Sequence, residues 1–142
     1  MKRFDNKACR AFIDSLPEDD QDECFEFFEH RFCIPVAKFL ISRGLATMTF
    51  IPVKTWAERL GLNHGFNPGV ISILTGVDDS NLLWSDFDTT VPVIILEVAQ
   101  SAWYHPLLID GNHRLRKAFL LEQERLPAYL IPQEYQKLIE VK

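Results

Sequence analysis

Apolar positions change their spacing along the chain, and each change predicts a different kind of element. Phe25, Phe28 and Phe32 recur at helical intervals, so the first third reads as helical. Ser15-Leu16-Pro17-Glu18 has the form of a capping box with proline in the first turn. The acidic run Glu18, Asp19, Asp20, Asp22 and Glu23 then suits the positive end of a helix. A shorter helix is expected from about Pro35, ending near Gly44 in a left-handed cap.

From Thr47 to Val53 the residues favour a strand, which Pro52 ends or confines to an edge. Thr55-Trp56-Ala57-Glu58 reads as the cap of a short helix that stops at Gly61. Residues 63–69 are a loop by composition, 70–74 suit a strand or a short helix, and 78–90 form a turn-rich acidic excursion. Val91 to Val98 is a strand, Leu107 to Ile109 a second, and Asp110-Gly111 breaks it. A helix is expected from about Asn112 to Gln123 and a strand from Pro127 to Ile131. Pro132 then starts a closing helix with Tyr135, Leu138 and Ile139.

With 142 residues, 47% of them hydrophobic and 25% charged, the chain has the size and composition of one globular domain and not of a disordered segment. No apolar run approaches the ~20 residues of a bilayer-spanning helix. The first residues, Met1-Lys2-Arg3-Phe4-Asp5, lack the apolar core of a secretion signal. A cytoplasmic protein with no membrane partner is expected. Cys9, Cys24 and Cys33 are odd in number and contain no C-x-x-C pair, which predicts buried, reduced thiols and not a disulfide framework or a zinc site.

The net charge of -5 argues against a broad nucleic-acid surface, and extended nucleic acid is not the expected partner. Its distribution refines that statement. Residues 1–46 carry 7 basic and 9 acidic side chains, 47–104 carry 2 and 6, and 105–142 carry 6 and 5. In the helix after Gly111, Leu115, Ala118, Phe119 and Glu122 share one side, and His113, Arg116 and Lys117 lie mostly opposite, with Arg114 on the flank. The cations stand in the first turns, where the helix dipole favours acidic residues, and Glu122 and Glu124 stand at the far end.

A bound anion would account for that order, since main-chain N–H groups, the dipole and an arginine converge on a phosphate at a helix start. Gly111 would admit the ligand close to the main chain, and Asn112 would cap the helix or touch the ligand. The same residues also fit a plain turn, a cap and solvated cations.

Asp110-Gly111-Asn112-His113-Arg114, with Leu107-Leu108-Ile109 before and Leu126-Pro127-Ala128-Tyr129 after, resembles the D-G-x-H-R signature of the ParB/sulfiredoxin-like superfamily. The resemblance covers about residues 91–131, with weaker similarity back to Phe50–Val53. It has no counterpart in residues 1–46. It implies a nucleotide whose phosphates sit on Gly111, Asn112, His113 and Arg114. Sulfiredoxins carry their reactive cysteine where this chain has Asn112, so their chemistry is not expected. Partition ParB proteins continue into further DNA-binding and dimerisation domains, whereas this sequence ends soon after Ile131, and centromere binding of that kind is not expected either. A branch similar to ADP-dependent free serine kinases uses the motif histidine with an acidic base, and other relatives are linked to nuclease or ATPase activity.

The resulting expectation is a single α+β domain over residues 1–142. A helical N-terminal part (1–46) packs on a small mixed-sheet ParB/sulfiredoxin-like core (47–142). The phosphates of ATP, ADP or CTP, with Mg²⁺, are expected at Gly111, Asn112, His113 and Arg114, joined by Lys117. Nucleotide hydrolysis or phosphoryl transfer would use His113 and Asp110, with Glu58 as a candidate base or, alternatively, as half of a capping box with Thr55. The competing reading is a non-catalytic module of the same fold that docks a protein or nucleic-acid partner. His64 and His105 read as loop residues and His30 as a surface residue of an acidic helix. Trp56, Trp84, Trp103 and Tyr104 suit packing more than base stacking.

Overall fold

The computed structural model describes residues 6–27, 30–59, 87–97 and 106–141. Expectations for 60–86 and 98–105, including the 63–69 loop, the 70–74 segment, His64, Trp84, Trp103, Tyr104 and His105, lie outside the described residues. The helices are α1 (Asn6–Asp14), α2 (Ile34–Ser42), α3 (Val53–Arg59), α4 (Asn112–Leu120) and α5 (Gln136–Ile139). The strands are β1 (Cys24–Phe27), β2 (His30–Cys33), β3 (Thr47–Pro52), β4 (Val93–Leu96), β5 (Leu107–Asp110), β6 (Arg125–Ile131) and β7 (Glu140–Val141). They form a three-stranded sheet, β1-β2-β7, and a four-stranded sheet, β3-β6-β4-β5. The fold class is α+β. Among the described residues, no helix is long and apolar enough to cross a membrane.

Two compact units divide these elements without following chain order. The first draws on the described parts of Met1–Thr47, Ile94–Asp110 and Tyr129–Lys142, the second on those of Met48–Val93 and Gly111–Ala128.

In the first unit, the helix expected over the acidic run is replaced by other structure. α1 ends at Asp14, and Ser15 closes its C-terminus by donating its hydroxyl to the Phe12 carbonyl (2.6 Å). Glu18–Asp20 makes a single 3-10 turn with no side-chain cap, so the capping box is not formed. The chain then turns into the antiparallel β1–β2 hairpin, which pairs Phe25 with Phe32. Their rings stack across the strands at 6.5 Å, so the spacing of these phenylalanines reflects cross-strand pairing and not a helical face. His30 thereby lies on β2, where its Nδ1 meets the Glu140 carboxylate of the neighbouring strand β7.

α2 forms as expected. Gly44, at φ +75°, terminates it, with the Gly44 and Leu45 N–H groups donating to the Ile41 and Leu40 carbonyls. α1 packs on α2, where the Phe12 and Phe39 rings meet at 5.7 Å. β4 and β5 pair antiparallel, and their run Ile94-Ile95-Leu96 with Leu107-Leu108-Ile109 is fully buried. Such continuous apolar strands need cover on both faces.

In the second unit, α3 packs on α4. α3 starts at Val53, so Thr55 lies inside its first turn and does not cap it with Glu58. Val53, Trp56 and Ala57 form its buried face, which makes Trp56 a packing residue, with the Arg59 guanidinium over its ring at 5.0 Å. Leu115 and Ala118 are the buried residues of α4. Glu122, expected on that apolar face, lies beyond the helix end. It occupies the left-handed cap position at φ 57°, with Glu122 and Gln123 donating to the Phe119 and Ala118 carbonyls.

Candidate functional site

The turn before α4 is built around Gly111. It is the residue that precedes the helix, at φ 99° and ψ 22°, a conformation that side chains other than glycine adopt at a cost. A Cβ at this position would lie 2.4 Å from Cγ1 of Val93. The glycine is therefore required by packing against Val93, a reason different from the ligand approach that its sequence context suggests. Asn112 is the first helical residue and does not cap. Its Oδ1 is buried and has no hydrogen-bond partner among the described residues. No acidic residue stands in the first turn, and no side chain caps it.

Two cations of this helix, Arg114 and Lys117, have partners in residues 87–92. Arg114 Nη1 donates to the Pro92 carbonyl (3.0 Å), and Lys117 Nζ donates to the Phe87 carbonyl (2.8 Å). The exposed imidazole of His113 stacks on the Phe87 ring, with centroids 4.8 Å apart. Asp88 accepts hydrogen bonds from the Thr90 N–H (2.9 Å) and hydroxyl (2.6 Å). These bonds, and then the nearby Lys117 and Arg114, hold its carboxyl below the ordinary 3.8. Because α4 ends at Leu120, Lys117 stands in its last turn, where the dipole favours a cation, and not in the first turns as the longer expected helix would place it. Arg114 and Lys117 thus hold main-chain carbonyls beside a carboxylate. Phe87, Asp88, Pro92 and Val93 cannot be found from the sequence, because nothing in their spacing links them to residues 111–117.

Asp110 closes β5, and its carboxyl belongs to the first unit. There it hydrogen-bonds the Glu23 carboxyl, whose pKa is raised by burial and by the Asp110 charge. Lys38 Nζ lies 3.8 Å from Glu23 and opposes that shift. Burial and the Asp110 charge both favour the protonated form of Glu23. Glu23 carries no signal of this pairing in the sequence, where it reads as one member of an acidic run. Glu58 is exposed on α3, away from the buried Val53–Trp56–Ala57 face. Among the described residues, no group of three or more His, Cys, Asp or Glu side chains is placed to hold a metal ion.

The cysteines depart from the expectation of three buried thiols. Cys9 is buried, Cys33 is half-buried and Cys24 is exposed, all of them unbridged. Comparison of the chain with known protein families, curated proteins and solved structures finds no match.

Proposed function

We propose that the chain binds the phosphates of a nucleotide, ATP, ADP or CTP carried with Mg²⁺, at the turn Gly111–Arg114. The observation that carries this reading is the start of α4: a nine-residue helix whose first turn has no acidic residue and no side-chain cap, with His113 and Arg114 beside it. Main-chain N–H groups in that position favour an anion, and the guanidinium adds directed donors. The buried Asn112 Oδ1 is an acceptor and needs a donor, which a ribose hydroxyl or a metal-bound water supplies and a bare phosphate does not. Lys117 stands in the last turn of α4, where it donates to the Phe87 carbonyl, and is not part of the proposed phosphate contacts.

Binding without turnover is the favoured form. Asp110 shares its carboxyl with Glu23, and Glu58 is exposed away from the packed face of α3, so neither carries the marks of a base at this turn. The competing reading, a protein-docking module, is supported by Phe87 and Val91, large apolar side chains that are 41% and 43% exposed in the segment beside the turn.

Titration calorimetry with the Mg²⁺ complexes of ATP, ADP and CTP tests the proposal. One charge-assisted hydrogen bond is worth about 1.5–3 kcal/mol, so His113→Ala or Arg114→Lys should weaken binding by at least about tenfold. His113→Ala is the cleaner variant, since Arg114 also anchors Pro92. No binding by the wild type, or unchanged binding by both variants, overturns the reading. Phosphate release that depends on Asp110 would replace it with a catalytic one.

A further inference from the structure

The three cysteines, spread over 25 positions of sequence from Cys9 to Cys33, converge in the first unit. Cys24 and Cys33 stand directly opposite each other in the antiparallel β1–β2 pair. The Ile34 N–H donates to the Glu23 carbonyl (3.0 Å), which makes Glu23 and Ile34 a hydrogen-bonded pair of the ladder. Successive pairs alternate, so Cys24 and Cys33 form the adjacent non-hydrogen-bonded pair, where side chains approach most closely and Cα atoms are about 4.5 Å apart. That separation falls within the range of about 4.4–6.8 Å over which a disulfide closes without moving the backbone.

Alternation along the strands also assigns the face. Cys24 and Glu26 point one way with Arg31 and Cys33, and Phe25 and Phe32 point the other. Phe32 is fully buried, whereas Cys24, Glu26 and Arg31 are exposed. Cys24 therefore lies on an exposed part of this face, beside the Glu26–Arg31 ion pair (2.8 Å), where a small solute reaches it, while Cys33 on the same face is half-buried.

We propose that Cys24 and Cys33 are a redox-modifiable pair, closed into a cross-strand disulfide by a low-molecular-weight disulfide of the glutathione type. The Cys24 thiolate attacks one sulfur of the small disulfide, forming a mixed disulfide and expelling one small thiolate. The Cys33 thiolate then attacks the Cys24 sulfur, forming the Cys24–Cys33 bond and expelling the second. Two protein thiols are oxidised, one small disulfide is reduced to two thiols, and the two protons end on the released thiols. Because β2 leads directly into α2, the bridge ties β1 to the start of that helix.

The rate of this exchange is set by the surroundings of Cys24. Burial of part of the side chain and the neighbouring Cys33 push its thiol up, Glu26 and Asp22 act in the same direction, and Arg31 opposes them. A small thiolate fraction makes closure slow at neutral pH and faster as pH rises. Cys9 is buried on α1, and its thiol is also pushed up, by burial and by Cys33, with Arg10 opposing. It is thus the thiol least open to the oxidant.

The test is to incubate the reduced chain with oxidised glutathione, alkylate the remaining thiols and map the peptides by mass spectrometry. The expected product has lost about 2 Da, joins the peptides of Cys24 and Cys33, and retains an alkylated Cys9. Cys33→Ser should stop at a glutathione adduct on Cys24, and Cys9→Ser should close the bridge as the wild type does. Three alkylated thiols, a persistent glutathione adduct on the wild type, or a bridge through Cys9 would each overturn the proposal without reliance on any variant.

Discussion

The phenyl ring of Phe87 lies flat on the imidazole of His113, with centroids 4.8 Å apart and planes 8° from parallel. Together with the bonds from Lys117 to the Phe87 carbonyl and from Arg114 to the Pro92 carbonyl, this stack fastens residues 87–92 to α4. Aromatic pairs contribute about 0.5–1.5 kcal/mol beyond area burial. Both rings are exposed, so a double-mutant cycle of Phe87→Ala and His113→Ala should give a coupling near the lower end, about 0.5 kcal/mol. Urea denaturation of the four proteins measures it, and additive effects would show that the stack holds nothing.

Gly111→Ala should be among the most damaging small substitutions in the chain. It places a Cβ 2.4 Å from Val93 Cγ1 and holds a non-glycine residue at φ 99°. Overpacking costs about 1–3 kcal/mol and a left-handed residue about 1–2, so a loss of about 3 kcal/mol is expected. Adding Val93→Ala removes Cγ1, the nearest colliding atom, and leaves the Val93 Cβ at 2.8 Å, so the double variant should lose less than the sum of the two singles but not recover fully. Strict additivity in denaturation midpoints would locate the cost elsewhere.

Glu122 occupies a left-handed cap position, φ 57°, that glycine fills without strain. The backbone geometry of such a cap, and not a contact of the glutamate, is what the position demands. Glu122→Gly is expected to raise stability by about 1 kcal/mol, and Glu122→Val, branched at Cβ, to lower it. Thermal unfolding of both variants checks the opposite signs.

The Glu23–Asp110 pair predicts a pH dependence. Burial and the Asp110 charge raise the Glu23 pKa above its ordinary 4.5, with Lys38 opposing. The folded chain then binds more protons than the unfolded one, so this contribution is fully present below 4.5 and is lost as pH rises through the folded value. Glu23→Gln keeps a hydrogen-bond donor toward Asp110 and removes the titration. Urea midpoints from about pH 4 to about pH 8 should fall less steeply for the variant than for the wild type. An unchanged slope would mean that Glu23 does not titrate in this range.

Much of the second half of the fold is legible in the residues themselves. The apolar runs of β4 and β5, the break at Asp110-Gly111, the helix from Asn112 and the strand ending at Ile131 all follow from local composition. Gly44 as a left-handed cap is equally readable, because the requirement for positive φ is written in the residue. The acidic run before Cys24 misleads for a physical reason. Phenylalanines three and four residues apart satisfy a helix, but Phe25 and Phe32 also satisfy a hairpin, and the pairing of β2 with both β1 and β7 decides between them.

At the candidate site the division is sharper. The sequence by itself determined the turn: Gly111, the helix that follows, and His113 and Arg114 at its start, because backbone conformation and residue order depend on neighbouring residues. Tertiary structure decided what those residues touch. Val93 fills the space a Cβ of residue 111 would need, Phe87 covers His113, Glu23 takes the carboxyl of Asp110, and Cys33 meets Cys24. Each of these partners belongs to another element of the chain, and contacts of that kind form only when packing brings the elements together, which no local spacing encodes.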